Sequence, residues 1–202
     1  MSPEDSTEVF KQAVTATMRA ISGNHELVVT FGRGKPYLQG SRARVPLPES
    51  GLSETELAAL RGTSDTFALR TRFHDETMHR SNRPHVGTAQ EVYDAVEEAR
   101  IACIGSYLMK GVGNNLQANL AEHCANNSYQ NIQNQSEAPL SEALGMLIRE
   151  KVTGRKPPPG GDTVLDLWRD HLEYSLAEDL DDLDSLLFDQ QAFAELAHKM
   201  IA

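Results

Sequence analysis

The stretch Thr88–Met109, "TAQEVYDAVEEARIACIGSYLM", decides the fold class. Thr88 followed three residues later by Glu91 has the spacing of a capping box, in which each end of the pair satisfies a backbone donor of the first helical turn. Val92, Val96, Ala99, Cys103 and Tyr107 then recur every three or four residues, the period that lines side chains along one helix face. This is a long helix, and its neighbours follow the same rule.

Upstream, Ser53 with Glu56 repeats the capping signature, and Leu57, Leu60, Phe67, Leu69 and Phe73 predict a helix running to about His79, with Gly62 as a point where it could break. Val9, Phe10, Ala13, Val14, Thr17, Met18 and Ile21 predict a first helix over Ser6–Ser22, stopped by Gly23. Between these helices, "HELVVTF" and "RARVPL" are strand-like and flank the Gly/Pro-rich "FGRGKPYLQGSR", which predicts a small two-stranded β-hairpin over about residues 26–46. Downstream, "KGVGNN" is predicted as a turn, followed by a helix through Leu116, Leu120 and His123 or Cys124 that fades into the polar "NNSYQNIQNQSE". Pro139 suits a first helical turn ahead of Leu140, Leu144, Leu147 and Ile148. "TGRKPPPGGD" has the composition of a semi-rigid linker, and two or three short acidic helices with a leucine stripe lie beyond it. The expectation is a mainly α protein: a helical body over 6–153 carrying the hairpin, a Pro/Gly linker at 154–161, and an acidic helical subdomain over 162–202.

Composition bounds what such a chain does. With 202 residues, 40% hydrophobic and 24% charged, it can bury a core as an ordinary globular protein. No run is long and apolar enough to span a membrane, and the acidic start "MSPEDSTEVF" is unlike a targeting peptide, so a cytoplasmic location without membrane contact is expected. Cys103 and Cys124 are too few and too far apart for a disulfide framework or a thiolate zinc site and read as packing residues. Charge is uneven within the net of −10: Arg33 to His85 holds nine Arg or Lys against six acids, and Asp162 to Ala202 two against eleven. An acidic chain lacks the field that drives phosphate-backbone binding, so no nucleic-acid partner is expected.

Motifs for nucleotide and calcium chemistry fail on spacing. Gly34-Lys35 is no phosphate loop, because Val29 and Pro36 stand where the loop needs Gly and Ser or Thr. "EDLDDLD" lacks the glycine turn and closing Glu of an EF-hand, and its leucines suit a solvated amphipathic helix. "FHDETMHRSNRPH", Phe73–His85, is richer. His74 and His79, five apart, are separated on a regular helix by about 500° of rotation, so their rings diverge by about 140° and cannot share an ion unless the helix ends between them. If it ends there, His74, Asp75, His79 and His85 are candidate ligands for one divalent ion such as zinc or cobalt, and His74 with His79 could then serve a metal-dependent hydrolase. The plainer alternative is an Asp75–His79 pair on a helix surface.

Four ordered blocks, "FKQAVTATMRAISGNHELVVTF", "ALRTRFHDETMHR", "VYDAVEEARIACIGSYLMKGVGNNL" and "VLDLWRDHLEYSLAEDLDDLDSLLFDQQAFAELA", together resemble the N-terminal region of the CobT family. The resemblance covers about Phe10 to Ala202. It implies a subunit of the aerobic, ATP-dependent cobaltochelatase, which inserts cobalt into hydrogenobyrinic acid a,c-diamide. It also implies two partners: an AAA+ subunit that hydrolyses ATP, and a large subunit that holds corrinoid and metal. The ATP, magnesium and cobalt that the complex needs are then expected on those partners, with no cofactor and no catalytic residue on this chain, and homo-oligomerisation stays open. In the family an acidic linker and a von Willebrand A domain usually follow this region, so the resemblance leads to the expectation that the chain is either a fragment or a short relative. An adaptor for a different AAA+ machine is the other reading.

Overall fold

The structure, a computed structural model, describes residues 3–48, 52–85 and 87–201. It is mainly α. Helix α1 (Pro3–Ser22) leads into three short strands, β1 (Val28–Gly32), β2 (Tyr37–Gln39) and β3 (Arg42–Pro46). Helices α2 (Glu54–Phe73), α3 (Glu76–Asn82), α4 (Thr88–Leu108), α5 (Lys110–Asn126) and α6 (Leu140–Thr153) follow, with two single 3-10 turns between α5 and α6. The chain ends with α7 (Gly161–Ser175), α8 (Ala177–Asp181), α9 (Leu183–Leu186) and α10 (Gln190–Ile201).

The sheet corrects the expected two-stranded hairpin. The two segments read as its arms are β1 and β3, and they pair in parallel, Val28 opposite Arg42 through Gly32 opposite Pro46. The antiparallel partner of β3 is β2, from the segment read as loop, and the strand order is β1-β3-β2. Parallel neighbours cannot be joined by a tight turn, so β2 and the Gly40 turn (φ 55°) carry the chain back to start β3 in the right direction. Leu27, Ala43 and Val45 are buried against Met18 and Ile21 of α1 and Ala68 and Leu69 of α2, which gives the small sheet the cover it needs.

Two capping expectations fare differently. Ser53 and Glu56 form the full reciprocal capping box at the start of α2. At α4 the N-cap is Gly87 (φ 74°), with Thr88 already the first helical residue and no side-chain cap. The predicted turn at "KGVGNN" is displaced too: α4 ends at Leu108, the single extended residue Met109 (φ −145°, ψ 108°) makes the joint, and α5 starts at Lys110. Asn115 and Asn119, on α5, then reach across to α2, where Asn119 donates to the Ala59 carbonyl (3.2 Å) and the Thr63 hydroxyl (2.9 Å).

A second core lies between α4, α6, α7 and α10, with Val96, Ile104, Leu147, Leu165 and Phe193 nearly inaccessible. Trp168 of α7 packs against it and donates from its indole N–H to the Ala138 carbonyl at 3.0 Å. Cys103 and Cys124 are buried free thiols; burial pushes Cys103 up to about 12 and Cys124 up to about 11, which keeps both protonated. Among the described residues no helix is long and apolar enough to cross a membrane.

Candidate functional site

The helix predicted to reach His79 stops six residues earlier, at Phe73. His74 is extended (φ −121°, ψ 121°) and closes α2 with its N–H on the Arg70 carbonyl. Asp75 then starts α3 as its N-cap, its carboxylate accepting from the backbone N–H groups of Thr77 (2.8 Å) and Met78 (3.0 Å). A capping Asp gains by satisfying orphan donors at the positive end of a new helix, and here that outweighs continuing the old one. Asp75 is therefore not paired with the His79 ring.

The break turns His74 and His79 toward each other, with ring centroids 4.9 Å apart. The stack continues from His79 to Tyr93 at 4.9 Å and from Tyr93 to His198 at 5.3 Å, so it joins α3, α4 and α10. His74 sets Nδ1 against Glu97 Oε1 (2.7 Å) and Nε2 against Glu76 Oε2 (3.1 Å). His79, buried, donates from Nε2 to Asp94 Oδ1 at 3.0 Å. Gln190, at the start of α10, accepts from the Asp75 N–H (2.7 Å) and donates to the Asp75 carbonyl (3.2 Å).

Each of the three carboxylates also holds arginine. Glu97 takes Arg100 Nε on one oxygen (2.7 Å) and Nη2 on the other (2.8 Å). Arg100 also donates to the Leu187 carbonyl (3.0 Å) and the Phe73 carbonyl (2.6 Å). Asp94 is gripped by Arg83, and Glu76 by Arg70 (3.2 Å) and Arg80 (2.7 Å). Burial pushes the Glu97 carboxyl up, but the bonds from Arg100 and His74 more than offset it and hold it below the usual range. Asp94 is held low in the same way by Arg83 and His79 against burial. Against a burial penalty, Arg70, His74 and Arg80 bring Glu76 down to about 2. All three acids are ionised at neutral pH.

Of the four sequence-predicted ligands, the structure brings only His74 and His79 together. Asp75 faces its own helix end, and His85 is exposed in the segment before α4. Both nitrogens of His74 and Nε2 of His79 face carboxylate oxygens of Glu97, Glu76 and Asp94, so a divalent ion on those nitrogens would have to displace these contacts. Among the described residues no three or more His, Cys, Asp or Glu side chains are grouped to hold a metal. What the arrangement does is mechanical: it ties the end of α2 and all of α3 to α4 and α10 through charge and stacked rings.

Sequence reasoning missed Tyr93, Asp94, Glu97, Arg100, Gln190 and His198. Glu97 and Arg100 are spaced as a helical ion pair, but that pattern is usually a solvated face, and here the end of α2, His74 and Leu187 close over it.

A family model described as "Cobalamin biosynthesis protein CobT" matches residues 4–202. No solved structure matches the chain.

Proposed function

The chain belongs to the CobT family of cobalamin biosynthesis proteins, and from that premise we propose that it is a non-catalytic assembly and coupling region of an ATP-dependent cobaltochelatase. In this reading it supports the insertion of cobalt into hydrogenobyrinic acid a,c-diamide, with cobalt as cargo. An AAA+ ATPase subunit supplies ATP hydrolysis with magnesium, and a large subunit holds the corrinoid. The carrying observation is the family match, which spans nearly the whole chain.

The physical character of the fold supports a coupling role. A part that passes force between an ATPase and a second subunit must be stiff, and the charged junction links α2, α3, α4 and α10 through Glu97–Arg100, Asp94–Arg83 and the stacked rings. It must also present contact surface. Tyr107 is 75% and Phe188 56% exposed, and their rings meet edge to face at 5.9 Å beside the Met109 joint, the kind of rigid aromatic anchor that interfaces favour.

The test is co-purification of this chain with the two other chelatase subunits, followed by cobalt insertion in the presence of ATP. The reading expects a ternary complex and insertion that depends on the chain. Insertion by the other two subunits at an unchanged rate without it would overturn the proposal.

A further inference from the structure

Beside the charged junction, whose Arg70 reaches its lining, α5 and α6 leave a cleft of about 230 Å³ over the middle of α4. Its floor is apolar and small, with Ala95, Ile101 and Ala102 of α4 beside Leu116 and Leu120 of α5. Arg149 and Arg155 line it from the C-terminal end of α6 and the residues just beyond.

We propose that this cleft binds a small organic carboxylate, with its apolar body on the α4 floor and its carboxylate groups on Arg149 and Arg155. The arginines are built into the cleft and left unpaired. Arg149 donates from Nη1 to the Gly145 carbonyl (3.2 Å), and Arg155 from both Nη atoms to Asn114 Oδ1 (3.0 Å each), all neutral acceptors. A guanidinium has five donors in a fixed fork matched to carboxylate geometry, so each keeps capacity to spare. Neither is ion-paired with a carboxylate among the described residues; Arg19, Arg33, Arg42, Arg44, Arg61 and Arg72 share that state, but Arg149 and Arg155 are the two of these that line this cleft. In a chain with net charge −10, two half-buried arginines that hydrogen-bond only to neutral acceptors share one concavity, and neither of its two acids, Glu98 and Glu142, is bonded to them.

Two glycines leave room for them. A Cβ at Gly145 would lie 3.1 Å from Arg149 Nη1, and one at Gly113 would lie 3.2 Å from Arg155 Nη2. Each guanidinium rests where any side chain would crowd it. Of the acids in the lining, Glu142 is hydrogen-bonded by His123 at 2.8 Å and also attracted by the Arg149 charge without bonding to it, and Glu98 is exposed. The volume is below the roughly 300 Å³ at which drug-sized sites begin, which favours a ligand of few atoms.

Adipate, a dicarboxylate with a four-carbon apolar body, is the probe, and adipamide of the same shape without charge is its control. Calorimetry on the intact chain should show saturable adipate binding, about tenfold weaker in each of Arg149→Gln and Arg155→Gln and absent in the double variant, as expected for losing a charge-assisted contact. Adipamide should not bind. Undiminished binding in the folded double variant, equal binding of adipamide, or no saturable binding would each overturn the proposal. Should the variants not fold, phenylglyoxal labelling of the wild-type chain decides: adipate must protect both Arg149 and Arg155, and unprotected labelling refutes the site. An acidic peptide that protects both while adipate protects neither assigns the carboxylates to a protein partner and refutes the small-molecule site.

Discussion

Arg100 is 1% exposed, and its guanidinium closes on both carboxylate oxygens of Glu97, one helical turn earlier on α4. The same side chain reaches the carbonyls of Phe73 and Leu187, so it clamps the end of α2 and the region after α9 onto α4. Arg100→Met removes the guanidinium that holds both oxygens of Glu97 and strands two carbonyls. It should cost about 3–5 kcal/mol in urea unfolding. Adding Glu97→Gln should recover part of that loss, because the uncompensated charge goes while the carbonyls stay without a donor. A loss below about 1 kcal/mol, the ordinary range for surface pairs, would mean that the pair is solvated.

Asp65 is the acid with the opposite bias. Burial within α2 pushes its carboxyl up to about 6, only partly offset by the Asn115 side chain, which donates at 2.8 Å, and by Arg61. A raised carboxyl favours the folded state fully below its unfolded value near 4 and loses that contribution as pH rises through about 6. Asp65→Asn removes the cost of a buried charge while keeping an acceptor for Asn115. The variant should be more stable than wild type by roughly 1–3 kcal/mol near pH 8, and the difference should shrink toward zero below about pH 4. Chemical denaturation at several pH values checks the sign.

Gly62 sits in the tightest helix contact of α2 with α5. A Cβ there would lie 2.3 Å from the Asn115 carbonyl oxygen and 2.6 Å from Asn119 Cβ. The first of these is backbone and cannot swing away. Gly62→Ala should therefore destabilise by at least the upper part of the about 1–3 kcal/mol range for overpacking. Gly111→Ala, in α5 with nothing within 4 Å of the new Cβ, should instead stabilise by a few tenths to about 1 kcal/mol. Equal effects at the two sites would contradict the packing.

What the sequence showed depended on how local the cause was. The stripes of α1, α4 and α6 were legible because one periodic face meets a core, and the Ser53–Glu56 box because both partners lie within one turn. Gly62 was visible as a glycine but suggested a break, when its reason is a neighbouring helix fifty residues on that no local pattern encodes. "KGVGNN" misled for the same cause: its glycine at 113 serves a close approach to Ser106 of α4, and the joint falls on Met109, an unremarkable residue. The parallel pairing of β1 with β3 is a tertiary fact, and so is the burial of Glu97 and Arg100. Asp75 is different, since an Asp two and three residues before the N–H groups it caps is a local signal, obscured here by the apolar stripe that leads into it.

For the histidines, burial changes the expected cost. His74 and His79 have side chains 2% and 8% exposed and bridge α2, α3 and α4. His74→Ala with His79→Ala should destabilise by clearly more than the about 0.3–0.5 kcal/mol of an exposed helical pair, since it leaves Glu97 and Asp94 with one partner fewer. Zinc and cobalt titrations near pH 7 should give no stoichiometric site in wild type or variant, because the carboxylates are committed to arginine. A stoichiometric ion lost in the variant would restore the metal reading of His74 and His79.

The Pro/Gly segment at 154–161 looks like a divider, yet the apolar core does not stop there. Val164, Leu165 and Leu172 of α7 and Phe193, Leu196 and Ala197 of α10 belong to one cluster with Val96, Leu144 and Leu147. Pro158 and Gly160 are buried, and a Cβ at Gly160 would lie 3.0 Å from the Gln130 nitrogen. Elements that share one core lose their burial together, which predicts one cooperative transition. Trp168, the single tryptophan, lies on α7, so its fluorescence reports the acidic helices while far-ultraviolet dichroism reports the whole helical content. The two signals should change with the same midpoint in urea, and limited proteolysis should not release 162–202 as a stable fragment. A fluorescence transition that precedes the dichroism transition would make 162–202 a separate subdomain on a hinge.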